Sequence, residues 1–498
     1  MTFLSIAYGL FLLSVLGIYW SVQQQWLRLW TLLIASLVFY SSLQVQYIPL
    51  LFVLILINFR LGLEIGTPLD WRIPNEDWQF AQQDWNQRRY KLLWLGIVLN
   101  VLLLLGFKYV PFFLSSLGVA LNLPGVQQGA GWVSDRLIAP LGLSFFCFEC
   151  IAYLIDVYRG APASQQFLKF AAYKLFFPKL LAGPITRYHF LAVQLKTLQF
   201  PTTEQITEGL WLIACGAVKK GLLADNLAIL VDLSFGNLER AGSGDLWLAT
   251  FAYGLQLYLD FSGYVDIARG SAILLGFNLP QNFDFPYFST SIADFWRRWH
   301  ITLGDWLRNY LYFPLGGSRR GLQRTCWNLL IVMLIAGLWH GAAWGYIVWG
   351  GLHGLALAVH RLTEAQSRRS PWLQDWWRSL PGVVCAWFIT QSMIFTSWIL
   401  FRLPDFKDSG RVIQHLWGHA ADAQFAQKVY VEAIGLNQFQ LAVLLWALVA
   451  LMGIAYMINR GLKLQLNWPL KLLLVPVCLF AVWLLAPQGG LPYIYFDF

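Results

Sequence analysis

Charge is what this sequence has least of. Asp, Glu, Lys and Arg make up 12% of its 498 residues, while 58% are hydrophobic; an ordinary soluble domain is about 25% charged. A soluble fold of this size could not hide so many apolar side chains, whereas a bilayer accepts them. Catalytic and metal signatures are missing too: no G-x-S-x-G surrounds a serine, and no H-E-x-x-H pattern occurs. No internal repeat is visible, which leaves an inverted-repeat transporter without support. Cysteine is sparse, with six in all. Cys147 and Cys150 form a C-x-x-C pair, but it lies inside the apolar stretch 142–151 with no second pair, so all six are expected to be small buried residues. The excess of 35 Lys and Arg over 26 Asp and Glu would suit nucleic acid if it were clustered. It is scattered between apolar spans instead, as in cytoplasmic membrane loops, and no nucleic-acid partner is expected.

What is present is a series of apolar windows near twenty residues long, enough to cross about 30 Å of hydrocarbon. They fall near 3–20, 27–45, 47–66, 92–117, 138–155, 207–233, 246–276, 328–359, 382–401, 438–458 and 471–487. The expected fold is all-α, a polytopic membrane protein of about eleven spans in one domain over 1–498. That domain would hold N-terminal helices at 1–155, a core at 156–360 and C-terminal helices at 361–498. The stretch 2–20 is too long for a signal peptide, has no Lys or Arg before it and lacks a small-residue cleavage box, so it reads as the first span. Basic residues near Arg28, at 72–91, at Arg159 and at 361–378 place those loops inside. The N-terminus and the segment 403–437 then lie outside. The 26 Trp and 21 Tyr suit the membrane–water interface. The stretch 167–181, interrupted by Lys169, Lys174 and Lys179, is too short and charged to span, and fits a re-entrant or interfacial helix.

The informative part is 284–354. Within 286–327, six arginines stand against two aspartates, interleaved with aromatic rings. Such a segment dips into the membrane or lines a cavity where Arg297, Arg298 and Arg308 hold an anionic substrate such as a phosphate. Equally, those arginines could meet lipid head groups. His300 closes the run Phe295-Trp-Arg-Arg-Trp-His. His340 lies in 329–346, which contains no charged residue. A titratable imidazole in an apolar span usually faces a cavity, a partner or a substrate path. The small residues Gly337, Gly341, Ala342, Ala343 and Gly345 either allow close helix packing or make room for a ligand. Two histidines in a sheltered pocket suit general acid–base work on a hydroxyl. His415 and His419, four apart, have no evident third ligand, and no metal site is expected. Asp260 and Asp266 sit in an apolar span; with Asp294 they are expected to serve structural pairing, through arginine or amide partners from the central segment.

At these residues the sequence resembles the membrane-bound O-acyltransferase family, most closely the bacterial branch that contains the alginate O-acetyltransferase membrane subunit. The resemblance runs through Leu141-Gly-Leu-Ser-Phe-Phe, Tyr153-Leu-Ile-Asp-Val-Tyr-Arg, Ala182-Gly-Pro-Ile, Lys219-Lys-Gly-Leu-Leu-Ala-Asp, Tyr258-Leu-Asp-Phe-Ser-Gly-Tyr-Val-Asp and Asn282-Phe-Asp-Phe-Pro-Tyr. It is strongest at Phe295–His300 and at Trp339-His-Gly-Ala-Ala-Trp-Gly. It implies a bowl of helices around a tunnel, with His340 as the essential catalytic residue and His300 as its companion. Trp299 and Trp339 would join the three arginines in binding substrate. Tyr312-Phe-Pro-Leu-Gly-Gly is as in alginate-type members and unlike the D-alanyl transfer proteins. Cys147 and Glu149 depart from the usual Thr and Gln beside the expected tunnel.

The implied activity moves an acyl group, acetyl in the first instance, from a cytoplasmic thioester (acetyl-CoA or an acyl carrier) towards a hydroxyl on an envelope or exported polysaccharide. No tightly bound cofactor is expected. A periplasmic acyltransferase partner, membrane lipids around the spans and a bacterial inner-membrane location belong to the same expectation. On physical grounds alone, a transporter or flippase for a lipid-linked or polymeric substrate, or a scaffold for an envelope complex, would use the same intramembrane polar groups.

Overall fold

Every regular element is a helix; no strand occurs among the described residues. This follows from the solvent, because hydrocarbon offers no partner to a backbone amide and a helix satisfies its own. The computed structural model describes residues 1–70, 72–487 and 489–496. Among these, six stretches are long and apolar enough to cross a membrane: Gln25–Gly66, Glu76–Ala120, Leu322–His340, Leu380–Arg402, Gln438–Gly461 and Trp468–Leu485. The first contains two helices, Gln25–Gln44 and Ile48–Gly66, separated by the 3-10 turn Val45–Tyr47, where the sequence places its break. Apolar side chains such as Leu473, Val477, Phe480 and Trp483 stand exposed along Trp468–Leu485, the surface a lipid-facing helix presents. The protein is a multi-pass membrane protein.

Contacts divide the chain into two compact units, one made of Met1–Gly209 with Ala268–Pro280, the other of Leu210–Ile267 with Gln281 onward. In the first unit, Phe167–Lys174 ends in a run of turns that is buried through Thr186. The interfacial alternative for 167–181 is thereby corrected: Lys174 and Lys179 lie inside protein and meet the Glu149 carboxylate at 3.0 and 2.6 Å. The Thr186 amide donates to the same group at 3.1 Å. Glu149 is the charge that allows two lysines to be buried. Cys147 and Cys150 are buried as expected, but Cys215, Cys326, Cys385 and Cys478 are only partly so.

In the second unit, the apolar stretch 328–359 is two helices and not one span. Leu322–His340 ends at Gly341, and the chain re-enters helix as Trp344–Ser367. The two pack against each other through glycine. A Cβ on Gly337 would strike the Tyr346 carbonyl, and one on Gly350 would strike the Met333 carbonyl. Gly337→Ala is therefore expected to destabilise the detergent-solubilised protein by about 1–3 kcal/mol, read as a lowered thermal unfolding midpoint. Of the two roles open to these small residues, close packing is what Gly337 and Gly350 serve. A similar close approach at Gly216 and Gly263, where each Cβ would meet the other's carbonyl, brings Val218–Ala224 against the long helix Ser243–Leu274.

Candidate functional site

The π-helical turn Val218–Ala224 carries two adjacent lysines, and an extra residue in a helical turn re-aims the side chains on it. Lys219 reaches Asp266 at 2.6 Å; Lys220 reaches Asp260 at 2.6 Å and Asp225 at 2.8 Å. Both expected carboxylates are thus paired, but with lysines from this turn and not with arginines or amides of 284–354. Lysine at consecutive positions within an apolar run was the available signal. Asp294 differs, pairing within its own short helix with Arg298 at 2.9 Å.

His300 is completely buried and adopts a left-handed backbone (φ 43°) between the short helices Ile292–Arg298 and Ile301–Leu307. A non-glycine residue persists there only when its surroundings over-determine it. Asn282 does so. Its Oδ1 accepts from the Thr302 amide at 3.0 Å and from the Thr302 hydroxyl at 2.9 Å, and lies 3.3 Å from His300 Nδ1. The Asn282 carbonyl also accepts from Ile301 N at 3.0 Å. Because an oxygen already serving two donors faces Nδ1, that nitrogen carries a proton and donates to Asn282.

His340 is the last residue of Leu322–His340 and is 2% exposed. Its ring stands edge-on to Trp349 at 5.2 Å and to Phe401 at 5.0 Å. Two aromatic rings link it to His300. Trp339 lies 5.0 Å from His340 and 6.1 Å from His300, and Tyr495 lies 6.0 Å from each. The two histidines, 40 positions apart, therefore share one buried cluster of aromatic rings. Trp299 is buried and enclosed by Phe295, Phe283 and Trp398 at 5.1–5.5 Å.

The arginines separate. Arg297 and Arg308 line a cavity of about 270 Å³ with Trp296, Tyr312, His360 and Arg361, and neither His300 nor His340 is on its wall. Arg308 is also paired with Asp305 at 2.6 Å. Arg298 is held by Asp294 and does not line this cavity. Past the apolar run, burial holds the His360 imidazole below its ordinary value; Glu364 opposes this, while Arg361 and Arg297 add to it. The wall sets three guanidinium groups, of Arg297, Arg308 and Arg361, against the one Asp305 carboxylate, a positive balance that favours an anion.

Sequence reasoning missed two residues. His353, completely buried, accepts from Trp296 Nε1 at 3.2 Å through Nδ1. Indole nitrogen only donates, so the His353 proton sits on Nε2, facing the Ser397 hydroxyl at 3.0 Å. A histidine in an apolar stretch was its signal, as for His340. Tyr495 had none, since nothing local ties it to residues more than 150 positions away. His415 and His419 stack at 3.9 Å, and no cluster of three or more metal-ligating side chains occurs among the described residues.

Residues 78–401 match the model of the membrane-bound O-acyltransferase family. A probable alginate O-acetylase of Pseudomonas putida is 33% identical over 510 residues, covering 98% of this chain and 98% of that protein. The peptidoglycan O-acetyltransferase of Helicobacter pylori is 36% identical, covering 78% of this chain and 74% of that one. The teichoic acid D-alanyltransferase of Bacillus subtilis is 27% identical over 55% of this chain and 71% of its own length. A family match over most of the chain and a relative aligned from end to end agree with the buried histidine pair: this chain belongs to the membrane-bound O-acyltransferase family and is an acyltransferase.

Proposed function

We propose that the protein transfers an acyl group, acetyl in the first instance, from a cytoplasmic thioester to a hydroxyl on a cell-envelope or exported polysaccharide. His340 acts as the general base. The observation that carries this reading is the shared aromatic cluster of His300 and His340, two buried imidazoles joined through the Trp339 and Tyr495 rings. His340 takes the proton of the attacking hydroxyl as its oxygen bonds to the thioester carbonyl carbon. Collapse of the tetrahedral adduct expels the thiolate, which takes a proton in turn. His300, whose Nδ1 is committed to Asn282, offers Nε2 to a neighbouring hydroxyl of the acceptor and so positions it, while the proton of the attacking hydroxyl goes to His340. The cavity of Arg297, Arg308 and Arg361 is the place for the donor's phosphates, and lipid head groups are the competing anions there.

In this reading the chain makes about eleven passes of the inner membrane with its N-terminus outside. The outer segment 403–437 docks a periplasmic partner that completes transfer to the polymer. That segment is helical and is anchored on 238–245, where Ser243 Oγ donates to the His415 carbonyl at 2.8 Å and the Asp422 amide donates to the Arg240 carbonyl at 2.9 Å. The acetyl assignment follows the relatives that are O-acetylases; the Bacillus subtilis relative favours D-alanyl as the second candidate. Membrane vesicles supplied with radiolabelled acetyl-CoA decide the matter. Label passing into base-labile ester on polymer supports the proposal, label passing only from a D-alanyl thioester selects the second candidate, and no acyl transfer from either returns the protein to the transporter reading.

A further inference from the structure

The Lys220 ammonium has three protons to donate, and its third acceptor lies far along the chain. Beyond Asp260 and Asp225, Nζ donates to the Pro492 carbonyl at 3.0 Å. Asp260 uses its other oxygen to accept from the Ile494 amide at 3.1 Å. Lys220 and Asp260 are thus both completed by backbone groups of 492–494. Lys220 also lies 4.8 Å from the Tyr493 ring, which is edge-on to Tyr264 at 5.0 Å. Without this segment a charge cluster at most 3% exposed would lose two hydrogen bonds.

The next residue is Tyr495, 5% exposed. Its ring stacks on Phe261, the neighbour of Asp260, at 3.8 Å and 26°. The carboxylate that grips the segment and the ring that supports its tyrosine are therefore consecutive residues of one helix. From that seat, Tyr495 presents its ring 6.0 Å from both His300 and His340.

We propose that Tyr495 is a specificity-determining residue whose ring limits the size of the acyl group accepted beside His340 and His300, and that the Lys220–Asp225–Asp260 cluster is the clamp that positions it. The inference rests on the acyl-transfer reading. A rigid ring held 6.0 Å from both imidazoles excludes volume beside them, and each extra methylene that must be accommodated or refused changes selectivity by roughly 10–200-fold. The clamp acts only through Tyr495: its residues hold the segment and touch no reactant.

The test compares acetyl-CoA with butyryl-CoA as donors to envelope polymer in vesicles, reading kcat and KM for each at matched protein abundance. In the unaltered protein acetyl transfer is preferred. Tyr495→Phe keeps the ring and is expected to leave the butyryl-to-acetyl ratio of kcat/KM within about twofold. Tyr495→Ala is expected to raise that ratio by at least about tenfold, with Tyr495→Val as the replacement if the alanine variant fails to accumulate. Asp260→Asn keeps the shape of the clamp while removing its charge, and is expected to raise the ratio in the same direction by a smaller factor. A role in folding alone would lower abundance, or both donors' rates equally, and leave the ratio unmoved. An unchanged ratio in Tyr495→Ala and Tyr495→Val overturns the proposal, as does loss of transfer in Tyr495→Phe, which would assign the hydroxyl to the chemistry. Absence of transfer by the unaltered protein would instead sink the acyl-transfer reading itself, so the two failures are distinguishable.

Discussion

His340→Ala is expected to lower acyl transfer by about 10²–10⁴-fold, the factor a well-placed base contributes, with the protein reaching the membrane at its usual abundance. The surrounding rings explain why abundance should hold. The imidazole ends its helix at Gly341 and is bordered by Trp339, Trp349 and Phe401. Alanine leaves a gap among rigid rings without exposing a charge. O-acetyl content of the envelope polymer, set against membrane protein level in a strain lacking a second copy, is the measurement. Unchanged acetylation at equal abundance would remove His340 from the chemistry. His340→Gln sharpens the result, because it keeps most of the volume and a hydrogen-bonding end but cannot take up a proton at neutral pH; it should be about as inactive as alanine. Activity retained by glutamine and lost by alanine would mean that the residue positions a reactant.

Glu149→Ala carries the largest expected cost to stability. The carboxylate is met by Lys174 and Lys179, whose side chains are 0% and 1% exposed. Its removal leaves two ammonium groups in a low-dielectric interior with no counter-charge. Breaking a buried pair in this way costs about 3–5 kcal/mol, enough to unfold a domain of ordinary stability. Reduced yield and a lowered unfolding midpoint in detergent are expected. Adding Lys179→Met should recover part of the loss, since it removes one of the two stranded charges. Failure of the double variant to recover any stability would show that the carboxylate matters through the Thr186 amide and the turn it holds.

The contrast between these sites shows where sequence reading works. His340 was legible because a titratable residue without charged neighbours in a long apolar window is anomalous at once. Glu149 was noticed only as a departure from a family pattern, and the three lysines of 167–181 read as charges on an amphipathic helix. The burial of Lys174 and Lys179 depends on a counter-ion 25 and 30 positions earlier, beyond the reach of a helical pattern. The same limit misassigned the partners of Asp260 and Asp266. Arginine from the central segment was a reasonable guess on charge alone. The choice was made by the Gly216–Gly263 contact and the π-helical turn that aims Lys219 and Lys220. Counting 328–359 as one span failed for a related reason: hydropathy sums over the break at Gly341 as though it were helix.

By itself, then, the sequence determined the solvent and the class of structure. Membership of the bilayer, an all-helical fold and the positions of most helices all follow from local composition, periodicity and motif. These are properties of neighbouring residues, so they survive without knowledge of the fold. Tertiary structure decided the rest. It placed His300 and His340 in one cluster of rings through Trp339 and Tyr495, enclosed Trp299 among Phe283 and its neighbours, separated Arg298 from Arg297 and Arg308, and gave Lys220 a backbone partner in 491–494. Each of these is a contact between residues distant in sequence, fixed by side-chain volume and by the need of buried polar groups for partners, and such contacts leave no local trace.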